Sequence, residues 1–131
     1  MRRFPVDVTV CVDGRTNDYN MRRLLRELVV TMMRTQDVRL CLPTGASVEL
    51  GDDDPIEWVK HEPMRVSHEV PDDPFGIWTC RMVVVLPDHR PKYTLSAVAN
   101  EWKTVFEHER GVAMFRCEAP PAPGDPFAAP L

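Results

Sequence analysis

The run from Asn20 to Arg34, NMRRLLRELVVTMMR, decides how this chain must be built. Met21, Leu24, Leu25, Leu28, Val29 and Met32 recur at the spacing that gathers them into one stripe of an α-helix, while Arg22, Arg23, Arg26 and Glu27 fall on the opposite side. A helix of this length is held mainly by what packs on its apolar face, so the chain has to supply a cover. The flanking segments read as that cover. Val6 to Val12 alternates valine with Asp7, Thr9 and Cys11, and Val38 to Leu42 sets Val38, Leu40 and Leu42 against Arg39 and Cys41. Asn17, Asp18 or Asn20 can cap the helix by accepting its free N–H groups.

The second half repeats this plan. Gly76 to Leu86, GIWTCRMVVVL, is rich in β-branched and aromatic residues and long enough for a central strand. Thr94 caps a second helix, Leu95 to Arg110, whose stripe is Leu95, Val98, Ala99, Trp102, Val105 and Phe106, with Gly111 as its C′ residue. Val112 to Cys117 is a last strand. Ala46 to Leu50 reads as a short hairpin return after the turn Pro43-Thr44-Gly45. The expected order is β-α-β, an insertion, then β-α-β. Right-handed crossovers put both helices on one side of a four-stranded antiparallel sheet, a ferredoxin-like α+β sandwich spanning 1–117. Glu118 to Leu131 carries Pro120, Pro121, Pro123, Pro126 and Pro130 and reads as a flexible tail.

The 131 residues, 44% hydrophobic and 27% charged, suffice for one buried core and do not fit a wholly disordered chain. No apolar run approaches the roughly 20 residues that cross a bilayer. Pro5 and Asp7 interrupt the apolar start that a secretory signal needs. Four cysteines, Cys11, Cys41, Cys80 and Cys117, each stand alone in an apolar run without a CxxC neighbour. Free thiols in a reducing compartment, nucleus or cytoplasm, are the expectation, and the chain reads as soluble, with no membrane partner.

The net charge of −4 is unevenly spread. Residues 51–75 hold eight acids against Lys60 and Arg65, a net of −6, and the rest of the chain is +2. Pro55, Pro63, Pro71 and Pro74 keep this acidic insertion out of the middle of a sheet, although Ile56 to Lys60 and Met64 to Val70 alternate enough for short edge strands. The acidity argues against a nucleic-acid partner. Phe75-Gly76-Ile77-Trp78 has the look of an aromatic stacking strand, but the outward set of residues holds no aromatic.

Candidate chemistry is sparse. His61-Glu62 and His68-Glu69 do not match HExxH and read as surface loops; Asp52-Asp53-Asp54 lacks the spacing of a calcium loop and reads as a solvated turn. There is no GxSxG, no clustered-glycine phosphate loop and no cysteine beside a base. Cys11 and Cys41, if neighbours on the outer face near Arg39, would permit redox sensitivity. Glu107-His108-Glu109 at a helix C-terminus reads as structural. Pro120-x-x-Pro123 and Pro123-x-x-Pro126 are compatible with a polyproline II ligand, though a disordered end accounts for them. No catalytic residue, metal ligand or cofactor is expected.

Surfaces remain. Period-2 alternation turns Asp7, Thr9, Cys11, Arg39, Cys41, Thr79, Arg81, Val83, Val85, Val112, Met114 and Arg116 away from the helices. This face is semi-apolar, with three arginines and little acid. It suits a homodimer or larger oligomer, or capture of a protein partner. The alternative is a small enzyme or ligand-binding domain using a pocket between the sheet and the acidic insertion.

Val12-Asp13-Gly14, followed by NMRRLLREL at Asn20 to Leu28, resembles the start of the adenoviral family of early-region-four proteins made from that region's third reading frame. The short length, the β-α-β-β-α-β order and the strand-helix-strand ending are also similar. The resemblance implies a non-enzymatic nuclear protein that dimerises, assembles into multivalent polymers and captures host nuclear-body and DNA-repair factors. The acidic insertion and the proline tail depart from that pattern, and no functional residue is carried over.

Overall fold

A computed structural model describes residues 1–13, 17–49, 56–64, 75–109 and 112–120. Asp52-Asp53-Asp54, His68-Glu69, Gly111 and the tail beyond Pro120 lie outside the described residues, as does most of Met64 to Val70.

The fold is α+β. Its elements are β1 (Arg2–Asp13), α1 (Asp18–Met33), β2 (Arg39–Cys41), β3 (Val59–Met64), β4 (Phe75–Leu86), α2 (Leu95–Glu109) and β5 (Met114–Glu118). All strands pair antiparallel in one five-stranded sheet of order β2-β4-β1-β5, and β3 joins it along β4.

β1 is longer than the alternation of Val6 to Val12 suggests. It runs from Arg2 through Pro5, which lies opposite Val83. A proline has no N–H to give, so this pair belongs to the non-hydrogen-bonded kind, and Pro5 turns its missing donor to the other side. β5 reaches only as far as Asp7, so no strand is there to miss it.

Alternate residues of the sheet fill the core. Val6, Val8, Val10, Met82, Val84, Leu86 and Phe115 are fully buried, and they share one cluster with Met21, Leu25, Leu28 and Met32 of α1 and Val98, Trp102 and Phe106 of α2. Both helices therefore cover the same face. α1 starts at its Asn17 cap, whose Oδ1 accepts from the Asn20 N–H at 2.8 Å, and α2 at Thr94, whose hydroxyl accepts from the Ala97 N–H at 3.2 Å. Trp102 ties α2 to the turn that follows α1 by donating from Nε1 to the Thr35 hydroxyl at 2.8 Å. Phe106 meets Phe115 edge to face at 4.7 Å.

Two parts of the expected layout are corrected. The sheet has five strands where four were expected. The edge strand allowed within the acidic insertion forms at Val59–Met64, between the two stretches read for it, and pairs with β4, accommodating Pro63 where the register slips between His61 and Met64. The return at Ala46 to Leu50 shrinks to a single bridge, Cys41 to Ser47, around Gly45 at φ +94°. The connection from β4 to α2 is held instead by Arg2, whose guanidinium donates to the carbonyls of Pro87, Arg90 and Tyr93 at 2.9–3.0 Å.

Trp102 is 1% exposed and makes the polar tie from α2 to the turn after α1. Trp102→Ala is expected to destabilise the fold by about 3–5 kcal/mol, read as a shift of the urea midpoint with a helical signal retained in buffer.

Candidate functional site: the open sheet face and its cleft

The register fixes what the face away from the helices displays. Across it run the rows Arg39, Val85, Arg3; Cys41, Val83, Pro5; Arg81, Asp7, Glu118; Val59, Thr79, Thr9, Arg116; and His61, Ile77, Cys11, Met114. Of the residues expected there, Arg39, Arg81 and Arg116 are exposed, and Asp7, Thr9, Thr79, Val83 and Met114 are half-buried. Cys11, Cys41 and Val85 are on this face but buried. Each sits between larger neighbours: Cys11 between Ile77 and Met114, Cys41 beside Val83 and under the Ser47 bridge, Val85 between Arg3 and Arg39.

Val112 is a correction. It is 3% exposed and belongs to the core, because β5 begins only at Met114 and the connection bonds the Val112 N–H to the Phe106 carbonyl at 3.2 Å. Ala113, expected inward, is exposed. Reading the last strand as starting at Val112 put both residues on the wrong sides.

The proposed thiol pair is a second correction. Cys11 pairs with Ile77 and Cys41 with Val83, six positions apart on β4 or roughly 20 Å, too far for a disulfide. Burial also raises the Cys11 thiol above its ordinary value. On the helix side burial pushes Cys117 up to about 12, and burial, with Cys117 and Asp7 nearby, raises Cys80 further. These thiols stay protonated at neutral pH and make poor nucleophiles. All four cysteines are free.

The most shaped part of the face is a cleft of about 690 Å³. It exists because β2 and β3 run in the same direction along one edge of β4 and leave a break: β2 ends opposite Val83 and β3 begins opposite Thr79. Since Val83 turns its backbone groups toward β2, alternation turns the N–H and C=O of Arg81 into the break. Arg81 also bonds Asp7 at 2.9 Å across the floor, which raises its pKa. His61 Nε2 lies 2.7 Å from the Thr79 hydroxyl, and Leu42, Pro43, Glu57 and Val59 form the walls.

Several sequence candidates resolve into structural roles. Trp78 of the aromatic run is 6% exposed on the helix side, with Lys60 Nζ 5.6 Å from its ring centroid and bonded at 2.9 Å to Asp18. It therefore offers no stacking platform. Glu107 accepts the Phe115 N–H at 3.3 Å. Among the described residues, no three His, Cys, Asp or Glu side chains converge, and no helix is long and apolar enough to cross a membrane. Arg3, Pro5, Ile77, Val59 and His61 escaped the sequence reading of this face. The first two continue the alternation upstream of Val6, a signal masked by the proline.

The architecture thus defines an α+β sheet protein with one covered and one open face. No known protein family, curated protein or solved structure matches the chain.

Folded Cys80 and Cys117 hold their protons more tightly than the unfolded chain does. Their contribution is complete below the ordinary thiol value of 9.0 and is lost as pH rises from there through the folded values, about 12 for Cys117. Cys80→Ala with Cys117→Ala is expected to flatten part of the alkaline fall in urea midpoint. In the native wild type both thiols should react with a disulfide reagent far more slowly than in denaturant.

Proposed function

We propose that this is a non-catalytic assembly protein of ferredoxin-like build that self-associates through its open sheet face and captures partner proteins. The order β2-β4-β1-β5 with both helices on one side supports that build. The carrying observation is the face itself: among the described residues no element covers Pro5, Ile77, Val83 and Met114, which stand among arginines, and Val59 at its border is 55% exposed. A solvated sheet face alternates charge more densely than this. The burial that holds the Cys80 and Cys117 thiols protonated makes them poor nucleophiles, which favours a binding role over thiol catalysis. Free cysteines fit a reducing compartment. The resemblance to the adenoviral early-region-four family points the same way, toward a viral nuclear scaffold.

Light scattering across protein concentration tests this. The expected result is a concentration-dependent mass above that of one chain. Arg81→Glu with Val83→Asp should reduce it to a monomer with an unchanged circular dichroism spectrum. A strict monomer at high concentration would remove the reading.

The cleft at Arg81 supports a second reading, a ligand-binding domain, because its volume lies in the range of small-molecule sites. A monomeric protein whose Val59 and His61 resonances shift saturably with a small polar ligand would favour it.

A further inference from the structure

The break in the sheet edge leaves a pair of backbone groups aimed into the cleft, and two hydrogen bonds elsewhere fix their direction. The Cys11 carbonyl accepts from the Ala113 N–H at 2.9 Å, so Cys11 turns its backbone toward β5, and Ile77, opposite it on β4, turns away from β1. The Leu40 carbonyl accepts from the Val48 N–H at 2.9 Å, away from β4, so Arg39 and Cys41 are the β2 residues that bond Val85 and Val83. Both observations turn the same alternate residues of β4 toward β2 and β3. Thr79 and Val83 meet Val59 and Cys41 there. Arg81, between them, faces no strand residue, and among the described residues no hydrogen bond to its N–H or C=O closes the break.

A single residue thus offers one donor and one acceptor side by side, the two groups an antiparallel neighbour would use. A passing peptide strand does not fit, because β2 and β3 close both ends and leave only Cys80 to Met82, about 10 Å of strand. One flat group with an adjacent donor and acceptor does fit, as in a cyclic amide. Leu42, Pro43 and Val59 give such a group apolar walls. Charge narrows the choice further. Asp7 and Glu57 line the cleft against Arg81, whose guanidinium Asp7 already holds at 2.9 Å, so an anion would meet repulsion.

We propose that the break binds a small uncharged molecule with a flat lactam edge, the edge that pyrimidine bases also carry. The lactam carbonyl accepts from the Arg81 N–H, and the lactam N–H donates to the Arg81 carbonyl. This rests on the ligand-binding reading of the cleft and names the chemistry that the cleft selects.

Titration of the isotope-labelled full chain, followed by its amide resonances, tests this with three probes. They are a pyridone whose oxo group adjoins the ring nitrogen, its N-methyl derivative, and the same pyridone carrying a carboxylate on the far side of the ring. The pyridone is expected to move the Arg81 N–H saturably downfield, together with Val59 and His61. The N-methyl derivative loses one hydrogen bond and is expected to bind roughly tenfold more weakly. The carboxylate should also weaken binding, and Glu57→Gln, a change at an exposed position, should restore most of it. The proposal is overturned if Arg81 does not respond, if the N-methyl derivative binds as well as its parent, or if the anionic probe binds best. Saturable shifts at Val59 and His61 would in those cases leave the ligand-binding reading standing. Silence of all three residues toward every probe overturns the proposal and removes the support of that reading too.

Discussion

Twelve residues of β1 lie against twelve of β4, and every other element is attached to that pair. β5 borders β1 and both β2 and β3 border β4, while the helices rest on the valines and methionines that the pair turns inward. Val6, Val8 and Val10 on one strand and Met82 and Val84 on the other have no measurable exposure. Each fully buried side chain of this size is worth about 1.5–3 kcal/mol of transfer free energy. The Arg81–Asp7 bridge crosses the same seam on the open side, but an ion pair as exposed as this is screened by water and contributes little. Register is therefore set by the apolar layer, and the bridge follows it.

The two faces are consequences of a single alternation. Because side chains change sides at every residue, the strands that present an unbroken apolar layer to Leu25 and Trp102 must present the intervening residues outward. Those intervening residues are not a uniform polar set. Arg3, Arg39 and Arg116 alternate with Pro5, Ile77 and Met114, giving a surface that water covers poorly in some places and well in others. Arginine and acid share it, with Asp7, Glu118 and the Glu57 of the cleft around Arg81, in a chain whose acids are concentrated in one continuous stretch.

Much of this was legible in the sequence because it rests on period. The stripes of both helices, the Asn17 and Thr94 caps and the inward valines follow from spacing alone, and the structure has them where spacing puts them. What was illegible depends on partners. Nothing local indicates that β1 continues through Pro5, because the tolerance of that proline comes from β5 stopping at Asp7. Alternation allowed short edge strands at Ile56–Lys60 and Met64–Val70, but the bounds Val59–Met64 are set by pairing with β4. Cys11 and Cys41 look alike in sequence, and only the pairing separates them. A pocket between the sheet and the acidic insertion was among the readings, but the place of the cleft was not legible, since it is made by two strands failing to meet.

That interruption has a bearing on what the sheet refuses to do. An exposed, continuous edge invites other chains to add a strand and so seeds fibres. Here, among the described residues, one side of the sheet ends in the three residues of β2 and the six of β3, with a gap between them and a bulge within β3, and the opposite side ends in the five of β5. An incoming strand would find no ladder long enough to zip along. Among the described residues, the margins of the sheet are thereby guarded against the addition of a strand.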